Sequence, residues 1–113
     1  MNPSPNPGSL EPARAVRLDE WVKFAEGSIV SRVILKSPAG NVTLFAFDAG
    51  QALSEHTAPF DALVQVLEGR LALGIGGEPV SVGAGEAALM PANVPHAVAA
   101  TEKTKWLLTM IKA

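Results

Sequence analysis

With 113 residues the chain has room for one domain built on a single closed core, and not for two. Its apolar fraction is 48% and it has no cysteine, so disulfides and thiolate metal sites are excluded and packing has to hold the fold together. A net charge of -2 without a basic cluster argues against nucleic-acid binding, and no apolar run approaches the roughly 18 residues of a membrane span or forms a signal-peptide core, so a cytoplasmic protein is expected.

In chain order, residues 1–14 (MNPSPNPGSLEPAR) are rich in Pro, Asn, Ser and Gly and carry almost nothing to bury. They are expected to form a disordered arm ahead of one domain over residues 15–113. The segment VRLDEWVKFAEG sets Leu18, Trp21, Val22 and Ala25 at helical spacing, offers Asp19 for a first turn and ends at Gly27. One short helical turn is predicted there.

Beyond Gly27 the period changes to two. SIVSRVILK (28–36) and NVTLFAFD (41–48) are rich in β-branched and aromatic residues and flank the turn signal SPAG, which predicts a hairpin. ALVQVLEG, RLALGIGG, EPVSV, EAALMPA, HAVAAT and KWLLTMI follow, with Gly, Pro or Asn at nearly every junction. Short strands broken by turn signals this often predict an all-β sandwich or barrel. Gly76–Gly77 supplies the positive φ angles of a tight hairpin. The closing run Trp106, Leu107, Leu108, Met110 and Ile111 is apolar on both faces, more than a small monomeric barrel can bury. That surplus predicts a partner, most simply a second copy of the chain in a twofold homodimer.

Two histidines, His56 and His96, stand forty residues apart, each at a strand edge beside a proline turn. In a barrel, positions this distant can converge on one interior site. Gly83–Ala–Gly85–Glu–Ala–Ala88 fits a dinucleotide-binding glycine fingerprint on paper, but an apolar strand and a proline follow it instead of a helix, so it reads as a turn. Ser54 beside His56 lacks a nucleophile elbow or an oxyanion-hole signature and reads as a hydroxyl lining a pocket.

The spacing around the two histidines resembles the paired motifs of the cupin family. Gly50, five residues, His56 and then Gly69 follow the first motif, glycine–x5–His–x–His–x3–Glu/Gln–x6–Gly; Gly85, five residues, Pro91, Asn93 and His96 follow the second, glycine–x5–Pro–x–Gly–x2–His. Asn93 stands at a glycine position and is the residue that best tolerates a left-handed backbone after glycine. The resemblance implies a double-stranded β-helix, the jelly-roll barrel of cupins. It also implies a divalent metal such as Mn, Fe, Ni or Zn on three histidines and one carboxylate or amide.

Carried over by position, the first and last metal histidines fall on His56 and His96, while the second falls on Ala58 and the acid or amide on Ala62. Two neutral imidazoles give a divalent cation few donors and no charge compensation. A bulge at Pro59 would be needed to bring Asp61 or Gln65 inward as a substitute. Two small alanines also leave a pocket expected to be wide and apolar, lined by Phe60, Val64, Val66, Leu89, Met90 and Val98. The expected ligand is a small, mostly apolar or aromatic molecule oriented by His56, His96 and Ser54. Two functions remain open: a small-molecule-binding cupin that is metal-free or weakly metallated, and a metal-dependent dioxygenase, isomerase or decarboxylase acting on a small organic acid or aromatic through the altered pair.

Overall fold

The computed structural model describes residues 9–112, so most of the expected arm lies outside the described residues. Within the remainder of that arm, the Leu10 N–H donates to Ile34 O at 2.9 Å. A 3-10 turn at Leu18–Glu20 is the short helical turn predicted from Leu18 and Trp21. Nine strands follow: β1 (Ile29–Ser37), β2 (Gly40–Phe47), β3 (Ala52–His56), β4 (Phe60–Glu68), β5 (Arg70–Ile75), β6 (Glu78–Gly83), β7 (Ala87–Met90), β8 (His96–Ala100) and β9 (Thr104–Lys112). The predicted hairpin is β1–β2, and Gly76 and Gly77 turn β5 into β6 with φ of 58° and 84°. β3 was not foreseen, because its short run ALSEH has no apolar repeat.

The strands form two antiparallel sheets, β1-β2-β9-β4-β7 and β3-β8-β5-β6, the two layers of a double-stranded β-helix. Alternation decides which side chains meet between the layers. On β4, Ala62, Val64 and Val66 are buried while Leu63 and Leu67 face the other way; on β9, Trp106 is buried with Leu108 and Met110 on its side. Phe47, Leu71, Leu73, Val82, Met90 and Val98 complete the interlayer core. Phe45 stacks on Trp106 with ring centroids 4.7 Å apart, and Phe47 meets Trp106 edge-on at 5.4 Å.

The outer face of the five-stranded sheet carries a second apolar cluster. Val22, Leu18, Trp21 and Phe24 lie over Ile34, Leu44, Ala46, Leu67 and Leu107. Arg32 secures this strap by donating to Trp21 O at 3.2 Å and stacking over the Trp21 ring at 4.0 Å. Asp48 accepts from Gly27 N–H at 2.7 Å and ties its other end. Part of the apolar surplus that alternation leaves outside the barrel is therefore covered by the chain's own first turn and the loop after it. Among the described residues no helix is long and apolar enough to cross a membrane.

Candidate functional site

His56 ends β3 and His96 begins β8, and the ladder pairs them directly. An irregularity between Leu53 and His56 inserts one residue into β3, so Leu53 and His56 both reach the interior despite their odd separation. That bulge leaves Ser54 and Glu55 outside. Ser54, expected to line the pocket with its hydroxyl, is a correction: it is exposed, and it contributes only its carbonyl, which accepts from His56 Nδ1–H at 2.8 Å.

The turn that delivers His96 is held from β4. The Asp61 carboxylate accepts from Ala92 N–H at 2.9 Å, and Ala58 O accepts from Asn93 N–H at 2.8 Å. Asn93 sits at φ 64°, the left-handed conformation expected at this glycine-like position. Asp61 is thus occupied in positioning the turn and does not join the histidines. Gln65, the other proposed substitute, is exposed on the outward side of β4 between inward Val64 and Val66, since β4 keeps its alternation past Pro59.

The two rings meet at their tips. His96 Nε2 lies 3.1 Å from His56 Nε2, with the rings edge-to-face at 4.4 Å between centroids. His96 Nδ1–H donates to Val94 O at 3.2 Å as His56 Nδ1–H does to Ser54 O. A carbonyl oxygen only accepts, so each Nδ1 carries a proton, and the two Nε2 atoms are left facing one another at hydrogen-bonding distance. His96 is 4% exposed, whereas His56 is exposed at the mouth.

Beside the pair lies a cavity of about 40 Å³ lined by Leu53, His56, Ala58, Ala62, Met90, His96, Val98, Trp106, Leu108 and Met110. The sequence-predicted Met90 and Val98 are here. Phe60 is not; it is half-buried at the end of β4, opposite Lys112. Leu89 points outward and is 55% exposed, as the strand neighbour of inward Met90 must. Val64 and Val66 are buried on the same face as Ala62 but belong to the packed core below the cavity. Missed altogether were Leu53, Trp106, Leu108 and Met110. The last three alternate along β9, a signal hidden by reading that run as apolar on both faces.

The volume corrects the expected wide pocket. At about 40 Å³ it is roughly a quarter of the ~150 Å³ that houses a benzene ring, so an aromatic ring does not fit. Trp106 borders the cavity and its Nε1–H is buried without an acceptor. Two wider grooves, about 420 and 400 Å³, run along the N-terminal segment away from the histidines. The larger is lined by Ser9, Glu11, Arg14, Trp21 and Arg32, and its Arg14 pairs with Glu11 at 2.9 Å. No group of three His, Cys, Asp or Glu side chains converges anywhere among the described residues.

Comparison with known proteins agrees with this architecture. The cupin domain family matches residues 43–111, more than half of the chain. A conserved protein of unknown function from Streptococcus pyogenes is 32% identical, with a TM-score of 0.86 over 92% of this chain and 91% of its own. A cupin 2 conserved barrel domain protein from Leptotrichia buccalis is 44% identical over 83% of this chain with a TM-score of 0.80, and this chain spans 46% of its length. A cupin superfamily protein from Desulfitobacterium hafniense, 20% identical, superposes with a TM-score of 0.87 over 97% of this chain and all of its own. No curated protein matches the chain.

Proposed function

Since the chain belongs to the cupin family, we propose that it is a binding protein whose barrel cavity takes a small ligand at His56 and His96 and holds divalent metals at most weakly. The observation that carries this reading is the convergence of the two Nε2 atoms, 3.1 Å apart, on a narrow cavity with no carboxylate. The family's Mn, Fe, Ni or Zn does not fit these donors. Two neutral nitrogens leave a doubly charged ion uncompensated and short of the three or four protein ligands it normally takes. The alternative, a metal-dependent dioxygenase, isomerase or decarboxylase, needs a third hard donor, and Asp61 is engaged in the turn while Gln65 faces out.

Metal analysis of untagged protein purified without chelator tests the reading. Less than about a tenth of an equivalent of Mn, Fe, Ni or Zn, and no rise in thermal midpoint on adding any of them, is expected. One tightly held equivalent overturns it in favour of the metalloenzyme.

Twofold association is part of the proposal. Register aligns Leu35, Val42, Thr109, Leu63 and Leu89 in one row across the outer face of the five-stranded sheet. Leu35 and Leu89 at its ends are 60% and 55% exposed, and neighbouring Ile111 is 56% exposed. An apolar row of this kind on a sheet face marks an association surface. Sedimentation of an 11.7 kDa monomer at tens of micromolar refutes it.

A further inference from the structure

The cavity is lined by four residues that carry lone-pair donors and that sequence spacing does not associate: His56 and His96 with their imidazoles, Met90 and Met110 with their thioethers. The methionines are placed by register. Ala62 pairs with Met90 on β7 to one side and with Met110 on β9 to the other. Where the motif calls for a carboxylate or amide the chain has a methyl group, and both cross-strand neighbours of that methyl bring sulfur.

This exchange changes which cation the donors select. A carboxylate is hard and charged, whereas a thioether is neutral, polarizable and soft, and selects Cu(I) among biological metals; imidazole suits copper as well. All four groups are neutral, so an ion of charge one leaves half the uncompensated charge of a divalent ion in a largely apolar cavity. Both histidines are already set for ligation through Nε2, because each Nδ1–H is committed to a backbone carbonyl, the usual outer support of a metal-bound imidazole. Metal–nitrogen bonds of about 2.0–2.1 Å bridge two nitrogens 3.1 Å apart at an angle of about 100°, near tetrahedral. About 40 Å³ suits an ion better than an organic ring. Met90 and His96 are almost fully buried, while exposed His56 gives the ion a way in.

We propose that the barrel cavity is a Cu(I) site in which His56, His96, Met90 and Met110 are the donors. The inference rests on the cavity being the binding centre and names its occupant.

The test uses untagged full-length protein under anaerobic, reducing conditions, with Cu(I) supplied as its bicinchoninate complex. One equivalent withdrawn per chain is expected. Met90→Leu/Met110→Leu should weaken binding at least tenfold while the metal-free protein melts within a few degrees of the parent, because Leu and Met are close in volume. His56→Ala, at an exposed position, should weaken it comparably. Ag(I), a redox-inert stand-in, should shift the methyl resonances of Met90 and Met110, and equimolar Zn(II) or Ni(II) should neither shift them nor displace it. Failure to withdraw Cu(I), or retention of full affinity without both thioethers, overturns the proposal. So does displacement by zinc; in that case the metalloenzyme reading returns. Cu(I) binding that survives Ala58→Leu, which plugs the cavity, overturns the cavity as the binding centre along with it. Loss of Cu(I) binding alone leaves the cavity reading standing.

Discussion

Asp61 separates a residue that positions the site from one that ligates within it. Its carboxylate accepts the Ala92 N–H at 2.9 Å across thirty-one residues and holds the turn ahead of His96. A hydrogen bond to a charged acceptor contributes about 1.5–3 kcal/mol, roughly twice a neutral one. Asp61→Ala leaves a half-buried N–H unpaired and should cost about 2 kcal/mol; Asp61→Asn keeps an uncharged acceptor and should cost about 1 kcal/mol. With an unfolding entropy near 2.1 cal/mol/K per residue, 1 kcal/mol in a domain of this size moves the midpoint by about 4 °C. The expected losses are therefore about 8 °C and about 4 °C, read by thermal and urea melts of both variants. Equal losses, or an Asp61→Ala change below about 0.5 kcal/mol, would refute the positioning role. An unchanged melt combined with lost metal binding would identify Asp61 as a ligand instead.

Four further outcomes follow from the packing and charges. The backbone N–H groups of Gly27 and Ala49 hold the Asp48 carboxyl below its ordinary value of 3.8, so its stabilisation is complete above that value and disappears as pH falls through the lower native one. Melts of Asp48→Asn and the parent should accordingly differ at neutral pH and converge in acid, as pH falls below 3.8; a difference that stays constant into acid contradicts this. Trp106→Phe removes the buried unpaired N–H along with ring volume, so it should cost under about 1.5 kcal/mol, against about 3–5 kcal/mol for Trp106→Ala. Equal costs would mean that the indole N–H has a partner. Leu71→Ala, in the interlayer core, should cost about 2–5 kcal/mol in denaturant melts. Leu89→Ala, exposed on the outer face, should stay within about 0.5 kcal/mol at concentrations too low for association.

What could be read from the chain follows the range over which each signal acts. Strands and turns are local, and the alternation of β4 and the glycines of the β5–β6 hairpin gave both away. The helical spacing of Leu18, Trp21 and Val22 was local too, and it gave away the single turn at Leu18–Glu20. The same side chains are used in a strap that drapes over the outer sheet, and its packing supports a turn too short to stand alone. The partnership of His56 with His96 is not local at all, and only the resemblance of two spaced motifs brought them together. Leu89 shows a misuse of a local rule, since a strand neighbour of buried Met90 has to point away.

The bulge in β3 explains why the wall of the site was harder to read than its two histidines. Strict alternation from His56 puts Ser54 inside and Leu53 outside, and one extra residue reverses both assignments without changing either side chain. ALSEH contains no glycine or proline to announce it. The inserted residue also sets the proton arrangement of the site, because it carries the Ser54 carbonyl to where it takes the Nδ1–H of His56. With Val94 O doing the same for His96, both Nε2 atoms are turned toward one another at one cavity. Deleting Glu55 restores regular pairing and keeps the His56 ring opposite His96, but moves the carbonyl that fixes its tautomer. Ligand affinity should then fall while the melting midpoint holds or rises. A deletion variant with unchanged affinity would show that the tautomer is set by the cavity and not by the bulge.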